Sequence, residues 1–583
     1  MKRFFFLLFA LVGLLGIVYM LTTVSEGPDL LTLVPQESAA VIVWHEPGPS
    51  YQNFMGTKLG RKIHDIDWLT VFSTLGLRDT AVSHAEHFGR LWESFVKSRV
   101  CRDILGGQIV IALVKNTSPA GTNRPGGAQK TVLLCKVKRR STVKNIRYLL
   151  GRSKFVKPLP TLSYQGYAVY GFQLNDLGHF YLSAHKDILI AALDPAAIRQ
   201  SIDLLLAGFV GKGTTIKNNQ QFVQLYRRTK GKSDFFCYLD PAAIGQSLES
   251  DSGIKENTGD RLPRFLLDIA HRGLRRIAFF HQRGKLYQRE EQVHQFSLVI
   301  RFDDQKLAPF QKLLADRRPV VDGTLDHTTA NLQLYLWSNW LDLPAWWRMT
   351  REYGSVNDKI RAQRLDDAIQ RYTGMDMDRF LSLFGHRFSL LIKEFKTSGF
   401  FPVPRVCLQV ALTDSNVVGS LLETFSAVLP HHRDTVANLE VVSILAGGGL
   451  MQPSYALSDD DLLVVDGRDL VDDILKPDAF LVQDPAFTKV EIDSKRPANL
   501  LFFTRVKQVT RSLQELASWL GTLIAIEDSR AGARSKILVD QLALPVLDGL
   551  TMFKTIFING QAASGELVLQ TKILVNGEGS EKQ

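Results

Sequence analysis

Cysteine is scarce in this chain and lacks the spacing of a metal site. Cys101, Cys135, Cys237 and Cys407 are the only four among 583 residues, and no two of them form a Cys-x-x-Cys pair. Three of them lie in apolar, strand-like runs, where a thiol packs as a small hydrophobic group. We therefore expect free, buried thiols and no metal or other cofactor. The even number leaves disulfide pairing in an oxidising compartment as the alternative.

Motifs of known enzyme classes are missing as well. The sequence contains neither a Gly-x-Ser-x-Gly elbow nor a His-Glu-x-x-His zinc motif. Residues 211–214 (GKGT) resemble part of a phosphate-binding loop, but Leu206 stands where that loop requires glycine. His84 and His87 would supply only two metal ligands. Because a site assembled from distant residues leaves no motif, an enzyme stays open as an alternative, and we favour a protein without catalytic activity.

Long apolar runs are confined to the N-terminus. Residues 4–24 carry no charge, follow Lys2 and Arg3, and precede a stretch without Lys or Arg that ends at Lys58. A run of this length can span a bilayer, and its flanking charges place the N-terminus in the cytoplasm. We therefore expect a single-pass inner-membrane anchor over residues 1–25, with the bulk of the protein in the periplasm or outside. A cleaved secretory signal is the alternative.

Acidic residues are outnumbered by basic ones. The chain has 70 Lys and Arg against 59 Asp and Glu, a formal net charge of +11. The excess is locally dense at residues 136–144 and around Arg272, Arg275 and Arg276, which are candidate partner contacts. A basic patch of this kind can bind nucleic acid or anionic lipid. It can also be a solvated surface without a partner. We favour an anionic lipid or polymer over nucleic acid.

The sequence repeats itself. Tyr181 and Asp187 recur as Tyr455 and Asp461, with 455−181 = 461−187 = 274. Other segments match in the same order, namely AAVIVW with LQLYLW, LGGQIVIAL with FGHRFSLLI, NNQQF with DPAF, and FFCYL with LLFFT. The common order predicts an internal repeat, because loops absorb the changes in spacing at little cost.

Each repeat combines strands with capped helices. A short apolar run ends at Leu193, where Asp194 suits a helix N-cap and Pro195 the first helical turn. We predict an α+β fold of two tandem similar domains, each a mostly antiparallel sheet covered by helices, after the N-terminal transmembrane helix. The first domain is expected over residues 30–321 and the second over residues 322–583.

Tryptophans cluster at the start of the second repeat. Trp337, Trp340, Trp346 and Trp347 lie in one short segment, and Pro344 argues against a single helix through all of them. Exposed, the group would be a partner contact for a polymer, a lipid or a protein. Buried, it would pack the beginning of the second repeat, which is the interpretation that we favour.

In the order of its parts, the chain resembles the bacterial envelope family catalogued as domain of unknown function 3352. The matching features are the N-terminal apolar span, the early strand VPQESAAVIVW, a glycine before the strands of LGGQIVIAL and FGHRFSLLI, the turns of YLSAHKDILIAA and YALSDDDLLVVD, and the helices NNQQF and DPAF. The resemblance covers residues 34–573. It implies an envelope location and no known enzyme activity, and it offers no catalytic residue to transfer.

These observations lead to three hypotheses about the function of the protein. We favour a non-enzymatic, membrane-anchored envelope protein that presents a duplicated domain surface to a protein, lipid or wall-polymer partner. One alternative is a periplasmic hydrolase with its site in the cleft between the domains, which converging His and carboxylate groups would support. The other is an envelope assembly factor that binds extended peptides at strand edges, which an uncovered edge strand would support.

Overall fold

The described part of the chain forms a large, mostly antiparallel sheet of 21 strands together with helices. The computed structural model describes residues 28–76, 98–114, 130–139, 142–143, 146, 148, 156–174, 178–210, 214–229, 231–244, 273–287, 291–303, 307, 309–398, 401–445, 452–527 and 529–576. Packing divides the chain into two compact units. The first unit is Met1–Phe54 with Arg78–Arg283, and the second is Met55–Leu77 with Gly284–Gln583.

The strands are numbered in chain order. The first eleven are β1 (Ala40–His45), β2 (Gln108–Val114), β3 (Lys130–Lys136), β4 (Lys157–Pro158), β5 (Leu162–Tyr164), β6 (Tyr167–Leu174), β7 (Gly178–His185), β8 (Ile188–Ala192), β9 (Ser233–Leu239), β10 (Leu274–Tyr287) and β11 (Glu291–Phe302). The remaining ten are β12 (Leu334–Ser338), β13 (Phe384–Ser398), β14 (Phe401–Leu412), β15 (His431–Val436), β16 (Leu439–Ile444), β17 (Ser454–Leu457), β18 (Asp461–Val465), β19 (Leu500–Arg505), β20 (Phe553–Ala563) and β21 (Glu566–Asn576).

The α-helices are numbered in the same way. The first seven are α1 (Pro47–Gly56), α2 (Lys58–His64), α3 (Trp68–Thr74), α4 (Arg99–Leu105), α5 (Pro195–Val210), α6 (Gln220–Arg227) and α7 (Pro309–Asp316). The later ones are α8 (Leu343–Tyr353), α9 (Val356–Thr373), α10 (Met377–Ser382), α11 (Ser415–Ala427), α12 (Arg468–Leu475), α13 (Pro485–Thr488), α14 (Val506–Glu527), α15 (Ser529–Leu538) and α16 (Leu544–Leu550).

In the first unit the strands pair in the order β10-β9-β1-β2-β3-β8-β7-β6, and both β4 and β5 pair with β6. Every one of these pairs is antiparallel. A short polar turn at residues 186–187 joins β7 to β8, as expected for a hairpin. One face of this sheet packs a core that includes Ile109, Cys135, Phe172 and Leu189.

In the second unit the order is β11-β21-β20-β19-β12-β13-β14-β18-β17-β16-β15, again antiparallel throughout. Its core contains the fully buried Tyr335, Trp337, Phe487, Phe503 and Phe557. The strand β11 pairs along its whole length with β21, the last strand of the chain. This long-range pairing explains why the chain after Arg283 belongs to the second unit.

Segments that match in sequence hold matching places in the strand order. The strand of AAVIVW lies between β9 and β2, and the strand of LQLYLW lies between β19 and β13. The aromatic cores match as well. Phe222 meets Tyr238 edge-to-face at 5.4 Å between ring centroids, and Phe487 meets Phe503 edge-to-face at 5.3 Å. The sequence similarity therefore reflects a common order of strand pairing.

The predicted helix cap after β8 is confirmed. Asp194 accepts a hydrogen bond from the backbone N–H of Ala196 at 2.7 Å, and α5 begins at Pro195. A carboxylate in this place satisfies an N–H group that the helix itself leaves unpaired. Ile198, Ile202 and Leu205 of the same helix are buried, as their helical spacing predicts.

The predicted fold class and location need correction. The expected transmembrane helix over residues 4–24 lies outside the described residues. In the part of the chain that the structure describes, no helix combines the length and the apolar character needed to cross a membrane. The single-pass anchor and the inner-membrane location are thus unsupported. In place of two tandem domains behind an anchor, the described residues form the 21-strand sheet with helices, and residues 284–321 group with the second unit.

Candidate functional site

A cleft of about 1010 Å³ opens in the second unit. It is bordered by α7, the segment that follows this helix, the turn between β12 and α8, the helix α8 itself, the start of β13 and the end of β14. Its lining residues are Lys312, Leu313, Asp316, Arg317, Arg318, Val320, Asn339, Asp342, Ala345, Arg348, Met349, Glu352, Gly385, His386, Arg387, Ala411 and Leu412.

Positive charge prevails around this cleft. Five lysine and arginine side chains face three carboxylates, which leaves 5−3 = +2 with His386 neutral. Arg317 forms an ion pair with Asp342, in which Nη2 of Arg317 and Oδ2 of Asp342 are 2.8 Å apart. Within the described ranges, the other cations of the lining have no ion-pair partner. These are Lys312, Arg318, Arg348 and Arg387, and we call them the cleft cations.

Two buried asparagines fix the backbone that carries Arg317 and Arg318. Asn339 donates from Nδ2 to the carbonyl oxygen of Arg318 at 2.9 Å, and Asn499 donates to the carbonyl oxygen of Arg317 at 3.0 Å. The same amide of Asn499 reaches Oδ1 of Asn339 at 3.0 Å, and its own Oδ1 accepts the N–H of Ala562. Buried amides with all these partners are rigid, so the border of the cleft is held in place.

His386 adds an imidazole ring to the cleft. Its Nδ1 lies 2.9 Å from the carbonyl oxygen of Leu341, 3.0 Å from Nη2 of Arg317 and 3.8 Å from Oδ2 of Asp342. Asp342 also caps α8 by accepting the N–H of Ala345 at 3.0 Å. A histidine and a carboxylate thus converge at the cleft. The lining residues, all of which the structure describes, include no serine, threonine or cysteine.

Gly385 allows the two strands behind the cleft to approach closely. A side chain at this position would place its Cβ 3.0 Å from Cβ and 3.2 Å from the carbonyl oxygen of Ala411. In the first unit, Gly106, which matches Gly385 in sequence, is also restricted, since a Cβ there would lie 2.5 Å from the carbonyl oxygen of Arg102. The glycines that the sequence comparison singled out at these strand starts therefore serve close backbone packing.

A buried polar network holds residues 322–324, which follow the cleft-lining Arg317 and Arg318 in the chain. Tyr335 donates to the carboxylate of Asp322 in a short hydrogen bond, and Thr324 contacts both groups as well as Ser389 at 3.2 Å. Burial raises the pKa of Asp322, and hydrogen bonds from Tyr335 and Thr324 oppose this effect. The pKa of Tyr335 is raised well above its usual range by burial and by the nearby carboxylate.

The tryptophans of the predicted partner contact lie apart from the cleft lining. Trp337 is fully buried in the core, Trp340 and Trp347 are half-buried, and Trp346 is exposed. Trp347 borders a second, smaller cavity of about 110 Å³ between α8 and α9, together with charged residues such as Arg351 and Asp366.

The structure describes two of the three arginines of the first repeat that were predicted as partner contacts. Arg272 lies outside the described residues. Arg275 is exposed on β10, and Arg276 forms an ion pair with Asp240 at 2.9 Å. Residues 211–213 and the pair His84 and His87 are outside the described ranges as well. Among the residues that the structure does describe, no group of three or more His, Cys, Asp or Glu side chains is placed to hold a metal ion.

Sequence reasoning missed the cleft cations. They come from α7, from the segment after it, from α8 and from the start of β13, so no local motif joins them. The only available signal was the dipeptide Arg317-Arg318, which stands in a segment that resembles a linker. The cations converge because β12 and β13 are neighbours in the sheet and α8 follows β12 directly.

Comparison with known proteins adds little. No protein-family model matches the chain, and no curated protein matches it. Among solved structures, crystal form III of TP0453 aligns with 51% of this chain and 90% of its own, at 10% identity and a TM-score of 0.24. A similarity of this size carries no argument about fold or function. The resemblance to domain of unknown function 3352 therefore stays a prediction.

Proposed function

We propose that the chain is a non-enzymatic binding protein whose cleft in the second unit holds an anionic group of a partner. The observation that carries this proposal is the set of four cleft cations without ion-pair partners around one cavity. Three of them are arginines, whose planar guanidinium groups bind carboxylates and phosphates through two parallel hydrogen bonds. The shared chemistry of the ligand is thus a carboxylate or a phosphate.

The size of the cleft and its apolar side chains indicate that the bound anionic group belongs to a larger molecule. A volume of about 1010 Å³ is at the upper end of ligand pockets. Leu313, Ala345, Met349 and Leu412 line the same cavity and provide apolar contact beside the cations. An acidic protein segment, a phospholipid and an anionic wall polymer all carry such a group, and these are the partner classes that the test separates.

The test is calorimetric titration of the full chain at low ionic strength. The probes are inorganic phosphate, poly-glutamate and a water-soluble, short-chain phosphatidic acid. The double variant Arg348→Gln with Arg387→Gln should bind the preferred probe at least about tenfold more weakly, because each lost charged hydrogen bond is worth about 1.5–3 kcal/mol. Added salt should weaken wild-type binding.

The matched control is Arg364→Gln with Arg371→Gln on α9. Both arginines are exposed and have no ion-pair partner within the described residues, so this variant changes the net charge equally and leaves the cleft intact. Equal binding by the two double variants would refute the cleft as the site. Failure of the wild-type protein to bind any of the three probes would refute the proposal itself.

A hydrolase with its site in the cleft of the second unit, and not in the predicted cleft between the domains, has one observation in its favour. His386 and Asp342 approach to 3.8 Å at the cleft, an arrangement that a hydrolase would use to activate water. Turnover of an ester substrate that disappears in His386→Ala would support this alternative. The peptide-binding alternative has less support. The strand β15 pairs only with β16 among the described residues, but its exposed side chains include the charged Arg433 and Asp434, and charges protect an edge from added strands.

A further inference from the structure

The helix α14 presents an apolar stripe that the fold leaves exposed. Leu513, Leu520, Leu523 and Ile524 are each between 36% and 44% exposed, although each is large and hydrophobic. Their spacing of seven, three and one residues places them on one side of the helix. Another side packs on α15, where Ala525 faces Gly532, and on the segment after α15, where Gly521 faces Val539.

A second helix adds to this apolar surface. Trp68 and Leu69 of α3 are each 38% exposed, and Leu75 just after this helix is 55% exposed. Both α3 and α14 pack against α15 within the second unit. The indole N–H of Trp68 donates to the carbonyl oxygen of Ile63 at 3.2 Å, so the ring is left as an apolar face with its polar atom satisfied.

The helix between them is cationic. From Ser529 to Leu538, α15 contains three basic residues and no Asp or Glu. Its Arg534 and Lys536 are exposed and have no ion-pair partner in the described part of the chain. Exposed apolar side chains next to unpaired cations are the pattern of helices that lie in the interface of an anionic membrane.

From this combination we infer that the surface formed by α3, α14 and α15 docks on an anionic lipid bilayer. A helix that lies along a membrane does not need to cross it, so this inference is independent of any transmembrane segment. The leucines and Trp68 enter the headgroup region, and Arg534 and Lys536 contact lipid phosphates. Charge selects an anionic lipid surface, because α15 supplies exposed cations and no acidic residue, and anionic headgroups present the complementary charge.

The test is hydrogen–deuterium exchange of the full chain with vesicles. Vesicles of phosphatidylglycerol and phosphatidylcholine should slow exchange in peptides that cover residues 68–75 and 513–526, and vesicles of phosphatidylcholine alone should not. Residues 356–372 of α9 should exchange equally in both cases. This local measurement separates docking by these helices from any lipid contact elsewhere in the chain.

Two variants and two controls complete the design. Leu520→Gln with Leu523→Gln should abolish the slowed exchange, and Arg534→Gln with Lys536→Gln should lower vesicle affinity roughly tenfold. The matched control Val356→Gln with Leu365→Gln, at exposed positions of α9, should bind as the wild type does. The cleft variant Arg348→Gln with Arg387→Gln should also bind vesicles normally, which keeps this inference separate from the proposed function.

Two results would overturn the lipid assignment. One is equal protection by charged and uncharged vesicles, or by neither. The other is protection of residues 513–526 that rises with protein concentration in the absence of vesicles, because a second copy of the chain would then cover the surface. Near-ultraviolet circular dichroism confirms that each variant keeps its fold, as expected for substitutions at exposed positions.

Discussion

Arg505 contacts Asp484 at 2.8 Å and uses the same guanidinium to hold two backbone carbonyls. It donates to the carbonyl oxygen of Ala330 at 3.0 Å and to that of Leu332 at 2.9 Å. Asp484 in turn accepts the N–H of Phe487 at 3.2 Å at the start of α13. This ion pair thus joins the end of β19, the cap of α13 and the segment before β12.

The first unit achieves the same connection without an ion pair. Asn219 stands 484−219 = 265 residues before Asp484 and accepts the N–H of Phe222 at 3.1 Å. Its side-chain amide also donates to the carbonyl oxygen of Gln36 at 3.2 Å. A carboxylate has no N–H to donate, so the second unit requires Arg505 as the donor.

Asp484→Asn should destabilise the second unit by about 2 kcal/mol, because it leaves the half-buried guanidinium of Arg505 without its anion. Chemical denaturation of the full chain measures this loss. Asp493→Asn is the control, since Asp493 and Arg496 form an exposed ion pair at 3.4 Å and such pairs contribute little. Equal stability losses in the two variants would contradict the role assigned to Asp484.

Glu291 should make the stability of the second unit depend on pH. Lys489 and Lys554 each donate to its carboxylate at 2.7 Å, and these hydrogen bonds hold the pKa of Glu291 below its usual range. A lowered pKa in the folded state means that this stability is present above the ordinary glutamate pKa, about 4.3, and is lost as the pH falls through the folded value.

Glu291→Gln should therefore lower the free energy of unfolding by about 1 to 2 kcal/mol at pH 7 and by much less at pH 3. Urea denaturation at the two pH values measures the difference. The exposed Glu515, which has no ion-pair partner among the described residues, provides the control Glu515→Gln. A loss in Glu291→Gln that is equal at both pH values would show that charge pairing is not its cause.

Gly107→Ala should prevent correct packing of β2 on β3, because the new Cβ would lie 1.8 Å from the carbonyl oxygen of Lys136. We expect a loss of several kcal/mol or of soluble expression. Gly208→Ala is the matched change in α5, where a Cβ meets nothing within 4 Å, and it should stabilise by about 0.5–1 kcal/mol. Thermal melts of both variants test the pair, and similar melting temperatures would contradict the expectation.

The four cysteines should react slowly with thiol reagents in the folded protein. They are free thiols, and burial raises the pKa of Cys101 and Cys237 to about 11 and that of Cys135 and Cys407 to about 12. Because the thiolate is the reacting form, little modification is expected at pH 8. Titration with Ellman's reagent should count four thiols after denaturation, and a lower count would indicate a disulfide.

Features with local causes were predictable from the sequence. The cap of Asp194 on α5 depends on neighbouring residues only, and the structure confirms it. The burial of Trp337 follows from its place in an apolar strand. The equivalence of Phe222 and Phe487 was visible as a match between two short segments, because each packs below a strand that also matches.

Features that depend on long-range pairing were not predictable. Arg318, Arg348 and Arg387 converge only after β12 and β13 have paired, and each of them alone is an ordinary surface arginine. Residues 55–77 belong to the second unit for the same reason, because contacts with residues far away in the sequence place them there. One of the contacts that hold these residues is the ion pair of Lys58 with Asp548, and no sequence pattern links these two residues.

The ion pair between Lys58 and Asp548 has a consequence for synthesis, because 490 residues separate its partners. At about 5–20 residues per second, a ribosome needs roughly 25 to 100 s to make the intervening chain. The nascent polypeptide therefore contains α2 long before α16, the helix that packs against it, has been made. The packing of this part of the second unit can therefore be completed only when nearly the whole chain has been made.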